Sequence, residues 1–394
     1  MFVGITNTPR AYAWGATGAI SELLGWPHSD AIEAELWLGA HPGSPSRILD
    51  PEQVGGYPDL AAWIAADPGT ALGERMPQLP FLLKVLAAAS PLSLQAHPTI
   101  AQARTGFARE NALGIPVDAA NRNYRDENHK PELIYALSEE FTALCGFRSV
   151  PEILGSLGRL NALASERGAH RGALRRLEDQ LGAPESLRPA FEWLISRGEG
   201  VDELIARVSE LADDSTPELA TAALLARLFP GDPGIVISLM LNTVTMKRGE
   251  VLYLPAGNIH AYLEGVGIEL MSASDNVLRG GLTPKHVDVP ELVDVLDFSP
   301  IPLPYLAPQH PSAGVAVFQP PVSDFTLVRV EDDGTVPLAG PAIVLCTAGD
   351  LQLAGGVTHA RIERGEALYV TPDERTITFT GAGEAFAATV PARP

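Results

Sequence analysis

In SVPEILGSLGRLNALA, residues 149–164, the apolar side chains Ile153, Leu154, Leu157, Leu160 and Leu163 recur at three- and four-residue intervals. That spacing puts them on one face of an amphipathic helix. GALRRLEDQL, LRPAFEWLISRG, GVDELIARVSELA and PELATAALLARLF continue the pattern, so residues 148–232 read as a helical insertion. The flanking text has a different period. Residues 1–147 alternate short apolar strands with Gly/Pro turns, apart from helical stretches such as DLAAWIAADP. Strand-like text resumes at GIVISLMLNTVTM and runs to the end of the chain. PLSLQAHPTI, residues 91–100, alternates as a strand and so places Gln95 and His97 on one face, with Ser93 behind them.

An internal repeat divides the β text. RGEVLYLPAGNIHAYLEG begins at Arg248 and RGEALYVTPDERTITFTG at Arg364, an offset of 116 residues. The second copy keeps the turn and strand residues but has Thr376 where the first has His260. The chemistry is therefore expected in the first copy. The fold expected is mainly β with α: a catalytic β domain from residues 1–147 and 233–300, the helical insertion, and a related β domain over 301–394.

Composition narrows the partners. A chain of 394 residues with 46% hydrophobic and 19% charged positions has an ordinary globular make-up. Its formal net charge of −20 argues against nucleic acid or an anionic membrane as partner. The most apolar segments, PFLLKVLAAA and GIVISLML, are too short for a membrane helix, and the start lacks the features of a signal peptide. Cys145 and Cys346 sit in apolar runs and read as buried thiols. A cytoplasmic location is expected.

The candidate chemistry is concentrated in a few stretches. In GEVLYLPAGNIH, a strand leads through a Pro255/Gly257 turn to His260, a spacing that resembles the second motif of the cupin β-barrels. Cupins bring a His-x-His pair to meet that histidine around a metal, and here Gln95 stands in the first place and His97 in the second. An amide oxygen, two imidazoles and a carboxylate suit zinc. Glu132 in NHKPELIYAL is the carboxylate candidate, although spacing alone does not select it over Glu127 or Asp126. Residues 262–292 place Glu269, Asp275, Arg279 and Lys285 among small residues, which suggests a pocket wall. With Lys130, these basic residues form a local positive cluster in an acidic chain, as an anionic substrate requires.

Together SLQAHP, NHKPEL, YLPAGNIHAYLEG and SDNVLRGGLTPK resemble the type I phosphomannose isomerases of the cupin superfamily. AYAWG, ELWLGAHPGSPS and LPFLLKVL resemble the same family. The resemblance implies a cupin jelly-roll catalytic domain, a helical insertion and a degenerate cupin-like C-terminal domain. It implies one zinc per chain held by Gln95, His97, Glu132 and His260, a catalytic Arg279, and a substrate pocket containing Ser93, Lys130, Tyr262, Glu269, Asp275 and Lys285. It also implies a monomer that interconverts mannose 6-phosphate and fructose 6-phosphate through a cis-enediol. The ligand types do not separate zinc from cobalt or manganese, and no catalytic base is singled out. Two other functions use the same residues, an iron-dependent cupin oxygenase and a sugar-binding bicupin without turnover.

Overall fold

The thirteen-residue strand His260–Ser272 organises the half of the molecule that carries these candidates. Its first part pairs antiparallel with Glu140–Phe147 and, at His260, with Gln95. Its second part pairs with Phe81–Ala88 on one side and Glu132–Ala136 on the other. The change of partners follows a β-bulge between Tyr262 and Glu264 and then Gly265, whose φ of 131° favours glycine. A Cβ at that position would lie 2.6 Å from the Phe141 ring. One strand thus belongs to two sheet layers, which is how a jelly-roll sandwich turns its corner. The structure, a computed structural model, describes residues 1–74 and 76–392. Leu241–Lys247, Glu35–Leu38 and Val251–Leu254 extend the ladders at their edges. Among the described residues the hydrogen-bonded sheets stay open and do not close into a barrel.

Strand alternation sets the layers. In Phe81–Ala88, Phe81, Leu83, Val85 and Ala87 pack with Ile343, Leu345, Tyr369 and Phe386 of the C-terminal strands. Leu86 and Ala88, on the opposite face, pack inward with Ile134, Ala143, Cys145 and Tyr262. Both faces are covered, so the whole strand is buried and reads as an apolar run interrupted only by Lys84. On the far side Leu94, Ala96, Leu144, Phe147, Ile259 and Ala261 pack against the helical layer. The site-bearing sandwich therefore lies between the C-terminal sheet and the helices.

Helices Val150–Glu166, Gly172–Leu181, Leu187–Ile195, Val201–Leu211 and Pro217–Leu228 coincide with the leucine spacing. Two strand expectations are corrected. GIVISLM is helical, with an α-turn Gly234–Ile237 and a 3-10 turn Ser238–Met240, and the strand starts at Leu241. A continuous apolar run carries no period, and this one is buried among the helices. PLSLQAHPTI forms a ladder only at Gln95–Ala96. Pro91 and Pro98 have no N–H to give, and the Leu92 and Leu94 N–H groups bond singly to the Tyr262 and Gly281 carbonyls.

The repeat is structural. Val251–Leu254 and Ala367–Val370 are strands at the 116-residue offset, as are the starts of His260–Ser272 and Thr376–Thr389. Gly249 and Gly365 have φ of 92° and 88°, and Gly265 and Gly381 have 131° and 137°. The chain's first strand, Phe2–Thr6, pairs with Ala367–Val370 and so belongs to the C-terminal sheet. Among the described residues no helix is long and apolar enough to cross a membrane.

Candidate metal centre and its cleft

Glu132 begins a strand paired with Val251–Leu254 and His260–Ser272, while His260 opens the strand that passes through both layers. The side chains meet in the sandwich interior with His97. His97 Nε2 and His260 Nε2 each lie 3.2 Å from a different oxygen of Glu132. The two imidazole rings are 5.1 Å apart. All three residues are buried, and their donor atoms lie within 4.8 Å of one another.

The backbone fixes the imidazoles. His97 Nδ1 is 2.8 Å from the Asn276 carbonyl oxygen, and His260 Nδ1 is 3.1 Å from that of Asn258. Each Nδ1–H donates to a carbonyl, which leaves the Nε2 lone pair to face Glu132. The Pro255/Gly257 turn is tied to the same place, because the Gly257 N–H donates to the His97 carbonyl. His97 Nε2 is fully buried and, among the described residues, makes no hydrogen bond. Burial and then the Lys130 charge lower the His97 pKa to about 4, so its ring is neutral at pH 7. An orphaned, neutral imidazole nitrogen facing a second imidazole and a carboxylate fits zinc. Gln95 is the cross-strand partner of both His260 and Arg279, and cross-strand partners share a face. It lines the small internal pocket beside Glu132 and His260.

Charge surrounds this cluster. Lys130 Nζ lies 2.8 Å from Glu132 Oε1. Burial opposes the Glu132 charge, but Lys130 and then His97 outweigh it and hold the carboxyl well below its usual range. Lys84 projects from the middle of Phe81–Ala88, with Nζ 2.8 Å from Glu269 and 3.6 Å from Glu35. Burial opposes its charge too, and Glu269 and Glu35 raise its pKa nonetheless. Glu269 therefore pairs with Lys84. Tyr262 is buried in the same pocket, and among the described residues its hydroxyl has no hydrogen-bond partner.

Above the cluster opens a cleft of about 660 Å³, lined by Ser93, Gln95, Lys130, Asp275, Arg279 and Lys285. Arg125 joins them. Among the described residues, Arg125, Arg279 and Lys285 have no carboxylate within ion-pair distance. Burial and the nearby Arg125 lower the pKa of Arg279, and burial and Arg279 lower that of Lys285. Asn276 locks this wall in place. Its Oδ1 accepts from Arg125 N–H at 2.7 Å, and its Nδ2 donates to the Asn128 carbonyl at 2.8 Å. His129 turns away and pairs with Asp324.

Sequence reasoning missed Lys84, Arg125, His41 and Asn276. Lys84 had a signal, a lysine inside an otherwise apolar eight-residue strand. Arg125 and Asn276 had none beyond proximity to the motifs.

Comparisons with known proteins point to one family. The profile of the phosphomannose isomerase type I catalytic domain matches residues 2–150. Mannose-6-phosphate isomerase of Escherichia coli K12 is 39% identical over 390 residues, covering 96% of this chain and 97% of that protein. The chain belongs to the mannose-6-phosphate isomerase family. The human member is 33% identical, covering 93% of this chain and 92% of its own. A crystal structure of mannose 6-phosphate isomerase bound with zinc and yttrium superposes with a TM-score of 0.87 at 36% identity, covering 99% of this chain and 100% of the other. The mannose-6-phosphate isomerase family includes a second solved structure, holo and zinc-bound, with a TM-score of 0.88.

Proposed function

We propose that this chain is a zinc-dependent aldose–ketose isomerase that interconverts mannose 6-phosphate and fructose 6-phosphate. The observation that carries this is the adjacency of two features. A buried His97–Glu132–His260 donor set lies at the base of a cleft whose wall holds unpaired Arg125, Arg279 and Lys285 in a chain of net charge −20. We take the ligand set as Gln95, His97, Glu132 and His260, with one zinc per chain. Zinc bound there supplies Lewis-acid polarisation of a sugar oxygen.

The chain's own residues do the rest. The reaction takes a proton from C2 and returns one to C1, while the carbonyl passes from C1 to C2 through a cis-enediol. Arg279 provides fixed positive charge where oxygen becomes anionic. Lys285 and Arg125, in the outer wall, suit the phosphate, because their charge is not spent on carboxylates. Lys130 holds Glu132 ionised. Ser93 and Asp275 offer polar contacts to the sugar hydroxyls, and Glu269 and Tyr262 close the pocket below. We read the protein as a cytoplasmic monomer without nucleic-acid or membrane partners, with a catalytic unit of residues 1–147 and 233–300 around the insertion and a C-terminal unit of residues 301–394.

The test is conversion of mannose 6-phosphate by chelator-stripped protein before and after zinc is restored. Activity that disappears and returns with zinc is the expected result. Folded, zinc-loaded protein without turnover would overturn the proposal.

A further inference from the structure

We infer that His41 is a positioning residue that holds the Asp275 carboxylate in the cleft. The inference rests on the isomerase proposal for what Asp275 faces, and on geometry for the contact itself. His41 Nε2 lies 3.3 Å from Asp275 Oδ2. The His41 side chain is only 7% exposed, against 44% for Asp275, so the restrained partner is the histidine.

Three contacts restrain it. The Gly43 N–H donates to His41 Nδ1 at 3.1 Å. That leaves Nε2 as the donor nitrogen, and it faces Asp275 Oδ2. The Trp37 ring meets the imidazole edge-on, with centroids 4.9 Å apart. The Ser44 N–H donates to the His41 carbonyl at 3.0 Å and closes the loop.

Asp275 needs such a hold. Its backbone N–H is tied to Asp126 Oδ2 at 2.8 Å, but its carboxylate stands in a wall between two spaces. The cleft lies on one side, and a second chamber of about 650 Å³ lies on the other. His41, Arg125 and Asp275 line both. Without the His41 donor, the carboxylate is free to turn into the second chamber or towards Arg125. The charges of Lys130 and then Arg125 also favour the ionised form of Asp275.

Two substitutions separate positioning from packing. His41→Phe keeps an aromatic ring against Trp37 and removes the donor, while His41→Gln keeps an N–H at the distal position. In zinc-loaded protein, His41→Phe is expected to lower kcat/KM about tenfold, the worth of a hydrogen bond to a charged group. His41→Gln should recover most of that loss, with melting temperatures alike. In an Asp275→Asn background His41→Phe should add nothing, since the two act as one unit. Multiplicative effects in the double variant, or a Gln variant as poor as the Phe variant at equal stability, would overturn the inference. Crystal structures of the wild-type and His41→Gln and His41→Phe proteins read the Asp275 orientation without turnover, so they decide the matter even if the isomerase proposal fails. An Asp275 carboxylate that keeps its orientation in His41→Phe would also overturn it.

Discussion

At the 116-residue offset, Glu269 falls on Ala385, and its cross-strand partner changes from Lys84 to Val330. Met271 falls on Ala387, and the residue facing it changes from Glu132 to Val344. Val330, Val344, Ala385 and Ala387 belong to one apolar cluster inside the C-terminal sandwich. The turn between the paired strands diverges in the same sense. Asn258 lends its carbonyl to His260, whereas its counterpart Glu374 accepts the Val357 N–H at 2.8 Å and the Thr358 N–H at 3.1 Å. At these positions the same pairing encloses either a charged interior or an apolar one. The fold itself does not need Lys84, Glu132 or Glu269. Buried ion pairs rarely exceed apolar packing in stability, so stability alone does not account for these charges.

The largest test exchanges the two interiors at one position. Lys84→Met leaves Glu269 buried without its cation and should lower the unfolding free energy by about 3–5 kcal/mol. Combining Lys84→Val with Glu269→Ala, the pair present in the other sandwich, should recover part of that stability while isomerase activity stays lost. Urea unfolding followed beside the mannose 6-phosphate assay checks both. A Lys84→Met protein as stable as wild type would mean that the charged interior does not depend on this pair.

A smaller effect comes from the second sandwich. Burial pushes Glu374 up, but hydrogen bonds from Thr358 and the Met1 ammonium, then the Val357 and Thr358 N–H groups, lower its pKa to about 2. Its ordinary value is 4.5, so the unfolded chain takes up the proton first. The stability it contributes is complete above pH 4.5 and is lost as pH falls towards 2. Thermal melts across that window should show a steeper acid loss in wild type than in Glu374→Gln. Equal slopes would remove Glu374 from the account.

Much of this contrast was legible from local pattern. The leucine spacing marked the helices, and the repeat marked both sandwiches down to their turn glycines. The Pro/Gly turn pointed to His260. Glu132 was not selected by spacing, because what singles it out is its contact with His97 and His260, both far away in sequence. Lys84 and Glu269 are 185 residues apart, and no local period records their meeting. His41 meets Asp275 across a longer gap still. GIVISLM failed for another reason: an unbroken apolar run has no period, and burial among helices decided its form.

The smallest expected effect is the most discriminating. The repeat aligns His260 with Thr376, which invites the idea that a histidine at 376 would found a second metal site. The bulge between Tyr262 and Glu264 argues against it. Before the bulge, His260 and Tyr262 face the interior, while Ala261 and Leu263 pack on the helices. After it, Ile268 and Leu270 face outward and Glu269 faces in. In Thr376–Thr389 the alternation is unbroken, with Ile377, Phe379, Ala385 and Ala387 all inside. Thr376 is consequently exposed. Thr376→His should leave zinc per chain, measured by atomic emission on purified protein, at the wild-type value. A second equivalent of zinc would show that the interiors differ by side chains alone and that the bulge is incidental. An unchanged value is what an exposed residue 376 on an unbroken strand requires.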